Sequence, residues 1–224
     1  MVDSLQVASD FCSNFNWLGF NSWVSRRLSL LLKSLIYTLI MNNVFIIHGA
    51  FGSPNENWIP WLKLELEKLN KPVITPTFPT PDNQSLENWL KAFKNYQDEI
   101  TQDSIVIGHS LGVAFVLNVL EILDKPIKSA FLVSGFIDSL GDPEFDRINK
   151  TFLNRKFDFE KIRKNCKKFY VFHSDNDPYV PLKFGEDLAE KLNSELILIK
   201  NAGHFNADAG FTKFNELLEK IKND

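Results

Sequence analysis

Five residues near the middle of the chain, Gly108-His109-Ser110-Leu111-Gly112, set a single hydroxyl between two glycines. An apolar run, Ile105-Val106-Ile107, leads into them, and the helical pattern "VAFVLNVLEIL" follows. A serine hydroxyl is a weak nucleophile. It attacks only when it stands clear of its surroundings, beside a base and beside donors that stabilise negative charge. A sharp strand-to-helix turn meets that need, but it forces an uncomfortable backbone on the serine. Side chains two positions either side would then collide, which is the physical reason for G-x-S-x-G. The helix beyond the turn points its free amides at the same place, so the Leu111 N–H is the expected first oxyanion donor. The competing reading is a glycine-lined turn whose serine only caps the helix. The buried strand before it and the apolar helix after it favour the nucleophile.

Such a serine requires a histidine to take its proton and a carboxylate to orient that histidine. The chain has four histidines: His48, His109, His173 and His204. His109 lies inside the turn, pointing away from the hydroxyl, and His48 and His173 each close a strand. His204, in "KNAGHFNAD", sits in a loop after the last strand, from which an imidazole can swing over the serine; it is the expected base. For the acid, "HSDNDPYVP" offers Asp175 and Asp177. The Asp-Pro step stiffens the chain directly after Asp177, which favours it over Asp175, with Asp138 third. Turn formation is the competing reading for this pair. A metal site from His173, Asp175 and Asp177 lacks any further ligand cluster, so no metal is expected.

A second oxyanion donor is expected from "IIHGAFGSPNENW", where a glycine-bordered loop leaves the first strand; Ala50 is preferred and Phe51 is the alternative. A phosphate-binding reading of residues 49–52 fails for want of a Gly-Lys-Ser/Thr ending. Phe51, Trp58, Phe136 and Phe205 are the aromatic residues expected to line a substrate pocket, against core packing as the alternative.

These residues can meet only if the elements between them deliver their loops to one rim. Apolar β-rich runs at 44–47, 73–75, 104–108, 130–134, 169–173 and 195–199 alternate with helical patterns at 58–69, 85–100, after Ser110, at 182–192 and at 210–222. Short strands that are apolar throughout belong to a parallel sheet covered on both faces. The alternation predicts an α/β fold: a three-layer, doubly wound, mostly parallel sheet of about six strands, with right-handed crossovers. In such folds functional residues gather at the strand ends near the point where strand order reverses. Residues 135–165, rich in charge and phenylalanine, read as one long irregular excursion and are the only candidate for a lid.

The 224 residues are 44% hydrophobic with a formal net charge of -3, a balance that supports one filled core and excludes a basic nucleic-acid footprint. Cys12 and Cys166 make neither a disulfide framework nor a zinc site, which points to free thiols in a reducing, cytoplasmic setting. Residues 1–40 differ from the rest. Their apolar run 28–40 spans 13 residues and contains Lys33, too short to cross a bilayer and without a cleavage site. The expected organisation is a poorly ordered extension, 1–40, and a folded domain, 41–224.

The stretches "VFIIHGAFGSPNENWIPWLKLEL", "IVIGHSLGVAFVLNVLE", "FLVSGF", "HSDNDPYVPLKFGEDLAEKL" and "AGHFNADAGF" resemble, in order, the YdeN/RBBP-type small serine hydrolases of the α/β-hydrolase superfamily. The likeness covers residues 44 to about 220. It implies a minimal α/β-hydrolase fold without a large cap domain, and it places nucleophile, acid and base at Ser110, Asp177 and His204. The three motifs at predicted strand ends point to cleavage of a small-molecule carboxylic ester or thioester, with no cofactor. An amidase or peptidase, or a protein-interaction module with little turnover, is the alternative. No Leu-x-Cys-x-Glu motif surrounds Cys12 or Cys166, so retinoblastoma-protein binding is not carried over, and the protein partner stays unassigned.

Overall fold

The computed structural model describes residues 42–153 and 155–224, so the expectation for residues 1–40 lies outside the described residues. Six strands, β1 Val44–Ile47, β2 Val73–Ile74, β3 Ile105–His109, β4 Ile127–Val133, β5 Cys166–Ser174 and β6 Glu195–Ile199, form one sheet in the order β2-β1-β3-β4-β5-β6. Every neighbouring pair is parallel. Strand order therefore reverses between β1 and β3, where consecutive connections leave in opposite directions and open a crevice at the carboxyl ends.

Strand side chains alternate between faces, which splits the interior in two. Phe45, Ile47, Val106, Leu132 and Val171 join one cluster with α2 (Leu86–Phe93), α3 (Leu111–Ile122), α4 (Pro143–Leu153), α5 (Phe159–Lys164) and α6 (Leu182–Leu192). Val44, Ile46, Ile107, Val133 and Phe172 join the other with α1 (Ile59–Lys68) and α7 (Asn215–Lys222). The result is the three-layer arrangement expected, a minimal α/β-hydrolase fold.

Helix α3 begins one residue after β3 and is buried from Leu111 through Glu121. Its sequence is apolar on every side, as a helix enclosed by sheet and helices must be. Its two polar residues are both paired with the 135–165 segment. Asn118 Oδ1 accepts from Arg155 Nη1 at 2.7 Å, and Glu121 forms an ion pair with Arg155 and accepts from the Asp158 N–H at 2.8 Å.

That segment departs from its sequence reading. It is not irregular: it holds α4 and α5, with Phe152 and Ile162 completely buried. Charged residues dominate "PEFDRINKTFL" and conceal a stripe of Phe145, Asn149, Phe152 and Leu153 at helical spacing. Asp158 caps α5 by accepting from the Lys161 N–H at 3.0 Å. Elsewhere, the 85–100 pattern divides into α2 and a 3-10 turn, Lys94–Glu99, and the last helix starts at Asn215 rather than 210. No helix among the described residues is long and apolar enough to cross a membrane.

Because Glu121 ties α3 to both Arg155 and the start of α5, Glu121→Ala should destabilise the domain by about 2–3 kcal/mol in urea unfolding, the cost of stranding a buried amide and an ion-pair partner. Glu121→Gln keeps an acceptor for the Asp158 amide and should lose less. Limited proteolysis of the alanine variant should cut first between 143 and 164.

Candidate active site

Ser110 is the one residue between β3 and α3, and it holds φ 55 and ψ −124. This strained backbone for a non-glycine residue is fixed from both sides: the Ser110 N–H donates to the Val133 carbonyl at 2.9 Å, and its own carbonyl accepts from the Val113 N–H at 3.0 Å. The flanking glycines are required by close approach. A Cβ on Gly112 would fall 2.6 Å from the Ile47 carbonyl oxygen, and one on Gly108 would fall 2.9 Å from the Gly112 carbonyl oxygen. The turn can close only where two backbones touch.

The loop leaving β1 passes directly beside the serine, since a Cβ built on Gly49 would lie 2.8 Å from Ser110 Cβ and 3.3 Å from Oγ. Ala50 follows, half-buried. The Phe51 N–H is committed elsewhere, donating to Thr80 Oγ1 at 2.7 Å. Leu111, first in α3, has no intrahelical acceptor for its amide.

Asp177 and His204 meet: His204 Nδ1 lies 2.8 Å from Asp177 Oδ2, with the carboxylate fully buried. The other carboxylate oxygen accepts from the Tyr179 and Val180 amides at 2.9 and 3.0 Å. Burial alone would raise the Asp177 pKa, but the His204 hydrogen bond and charge, with the two amides, hold it below the ordinary carboxylate value. An ionised carboxylate only accepts, so His204 donates to it from Nδ1. Asp175 makes no such contact; it turns to the Asn201 amide at 2.8 Å. Asp138 accepts from the Ser139 N–H at 2.8 Å.

The remaining histidines are spent on backbone groups. His109 Nε2 donates to the His204 carbonyl at 2.9 Å, and burial, with His204 next, pushes its pKa down to about 3. His48 donates from Nδ1 to the Gly49 carbonyl at 2.8 Å and accepts from the Phe78 N–H at 3.1 Å. His173 donates from Nε2 to the Val180 carbonyl at 2.9 Å. Burial lowers the pKa of both. His173 and Asp177 both reach Val180, one through its carbonyl and the other through its amide, while Asp175 turns to Asn201.

Three of the four rings expected to line a pocket lie in the interior instead. Trp58, Phe136 and Phe205 have no exposed surface. Trp58 packs edge-on against His109 and donates from Nε1 to the Phe205 carbonyl at 3.0 Å. Phe205 stacks on Phe214, and Phe136 packs on Phe145. Aromatic content is as useful to a core as to a pocket, and here the core takes it. Phe51 is 56% exposed, with its ring 6.2 Å from that of Phe145. Tyr179, not singled out from the sequence, is 58% exposed and meets His204 edge-on at 5.2 Å. Its position two residues after Asp177 was the available signal.

A family model described as serine hydrolase matches residues 44–223. The chain is 35% identical over 171 residues to YdeN of Bacillus subtilis (strain 168), covering 75% of this chain and 88% of that one. It is 29% identical over 176 residues to the serine hydrolase RBBP9 of Rattus norvegicus, covering 78% and 90%. The crystal structure of the ydeN gene product superimposes with a TM-score of 0.77 at 31% identity, covering 82% of this chain and 98% of that one.

His109 makes the domain sensitive to acid. Its folded pKa lies near 3 against an ordinary 6.5, so the unfolded chain takes up a proton below 6.5 that the native chain refuses. The stability it contributes is complete above 6.5 and is lost progressively as pH falls toward 3. His109→Gln retains an N–H for the His204 carbonyl and removes the titration. Urea unfolding between about pH 6 and pH 4 should show a shallower loss of stability in the variant, by up to about 1.4 kcal/mol per pH unit. Parallel slopes for the two proteins would contradict the buried neutral ring.

Proposed function

The chain belongs to the serine hydrolase family, and from that premise we propose that it cleaves small carboxylic esters or thioesters through an acyl-enzyme on Ser110. The observation that carries this reading is the Asp177–His204 hydrogen bond at the rim where the strained Ser110 turn emerges. Asp177 fixes the His204 tautomer with the Nε2 lone pair free, and it stabilises the imidazolium that forms when that atom takes a proton. Ser110 Oγ attacks the substrate carbonyl carbon while its proton passes to His204 Nε2. The tetrahedral oxyanion is stabilised by the Leu111 and Ala50 amides, where losing one donor costs about 3–4 kcal/mol. Collapse breaks the bond to the alcohol or thiol, which leaves with the proton from Nε2. Water then repeats the sequence on the acyl-enzyme, giving up a proton to Nε2 and releasing the acid and free Ser110.

A small substrate suits the surroundings. Ser110 and His204 are nearly buried, and the exposed rings beside them are Phe51 and Tyr179, one on the oxyanion loop and one against the base. Ester and thioester leaving groups depart readily once protonated, so no additional acid is required.

A fluorophosphonate probe should label the wild-type chain at Ser110, and Ser110→Ala should abolish labelling. On short-chain aryl esters, Asp177→Asn should lower kcat by about 10⁴-fold by presenting the wrong histidine tautomer. Undiminished labelling of the alanine variant would sink the assignment of the nucleophile.

A further inference from the structure

The loop that presents His204 has an awkward backbone. Asn201, Gly203 and Phe205 all adopt positive φ, at 56, 53 and 49°, and the internal bond across the base runs from the Phe205 N–H to the Ala202 carbonyl at 3.1 Å. Left-handed conformations at non-glycine residues persist only where the surroundings hold them. Here the holding groups are side chains from other loops at the same rim. The His204 and Phe205 carbonyls are taken by His109 and Trp58, and the Ala207 N–H donates to Asn57 Oδ1 at 2.8 Å.

The amides ahead of His204 are held more systematically. Three consecutive N–H groups meet three consecutive side chains from the end of β5 and the start of the loop that carries Asp177. Asn201 donates to Asp175 Oδ1 at 2.8 Å, Ala202 to Ser174 Oγ at 3.0 Å and Gly203 to Asn176 Oδ1 at 2.8 Å. Ser174 Oγ also donates to Asn176 Oδ1 at 2.7 Å, so the acceptors brace one another. The acid's own loop is closed by His173 on the Val180 carbonyl and by Asp177 on the Tyr179 and Val180 amides.

We infer that Ser174, Asp175 and Asn176 are positioning residues that stitch the base loop to the acid loop and so keep His204 in register with Asp177. The inference rests on the reading of His204 as the base. Asp175, the rival acid in sequence, thereby acquires a different role, with its carboxylate gripping the backbone three residues before the imidazole. Asp177 and His204 follow different strands, β5 and β6, and the stitches join the two loops directly beside the Asp177–His204 contact. The geometry that attack on a carbonyl needs is unforgiving, so looseness here reaches the chemistry and leaves substrate affinity alone.

Asp175 and Asn176 are exposed, so both can be replaced without opening the core. Asp175→Ala/Asn176→Ala removes two of the three acceptors, whereas Asp175→Asn/Asn176→Asp keeps both Oδ1 atoms and the net charge. With a short-chain aryl ester, the double-alanine variant should show an unchanged KM and a kcat reduced by about ten- to a hundredfold, as expected for a displaced base. The swap variant should recover most of the wild-type kcat. Wild-type kcat in the double-alanine variant, or a swap variant as slow as it, would overturn the inference. Failure of the wild-type chain to react with a fluorophosphonate would instead remove the triad, and this inference with it. Should the double-alanine variant not fold, Asp175→Ala alone is judged by the same two criteria.

Discussion

Backbone contact between α3 and β1 is the constraint on which the site depends. Ser110 occupies a conformation that costs a non-glycine residue on the order of 1–3 kcal/mol. What holds it is the depth at which α3 sits. The helix is apolar all round, its burial drives it into the sheet, and it stops only where Gly112 reaches the Ile47 and His48 carbonyls. That same approach brings the loop after β1 alongside Ser110. Helix packing, serine strain and the spacing between the Leu111 and Ala50 amides are thus set together. A helix standing farther out would relax the turn and separate the two amides proposed as oxyanion donors at once.

Three of the four histidines act as neutral hydrogen-bond donors, and they share a placement. His48 follows β1, His109 ends β3 and His173 lies near the end of β5; each gives a ring N–H to a carbonyl of a loop at the rim. Burial lowers the pKa of all three, so they tie loops down without adding positive charge near the Ser110 turn. His204 differs in its partner. A carboxylate rather than a carbonyl faces its Nδ1, and only a carboxylate can compensate an imidazolium as it forms. The proposed division between supporting and reacting histidines therefore follows from what each ring touches.

Much of this was legible in the sequence, because the signals were periodic or tied to strand ends. Apolar runs located all six strands of the described sheet, two of them, 44–47 and 195–199, to the residue, and the crossover logic is what led to the expectation of Ser110, Asp177 and His204 at one rim. Helices α4 and α5 were hidden because their apolar stripe is narrow and set among charges. Asp175 and Asp177 could be ranked by the stiffening Asp-Pro step, but their separate partners depend on how β6 returns its loop beside β5. Aromatic side chains carry no mark that distinguishes a pocket wall from a core. Trp58 and Phe205 were legible as aromatic and near the site; that they face inward as supports for His109 and the base loop is a product of packing.

The 135–165 segment joins the site by a polar route as well as by packing. The Phe51 N–H donates to Thr80 Oγ1, Thr80 hydrogen-bonds Gln84, Gln84 Nε2 donates to Asn149 Oδ1 at 2.6 Å, and Asn149 Nδ2 donates to the Phe145 carbonyl at 2.8 Å. Asn149 is completely buried, so its amide must be satisfied within the protein, and both ends of it are. The chain closes on itself, because the Phe145 ring packs against that of Phe51. A loop that carries a proposed oxyanion donor is therefore clamped to α4 through hydrogen bonds on one side and an aromatic contact on the other. Glu121 and Arg155 in turn hold the segment to α3, the helix whose Leu111 amide is the other proposed donor. The two amides proposed to receive the oxyanion are consequently linked through the body of the domain by a second path, independent of the glycine contacts at the turn. An excursion anchored in this way belongs to the framework of the site, and the freedom expected of a lid is what its hydrogen bonds remove.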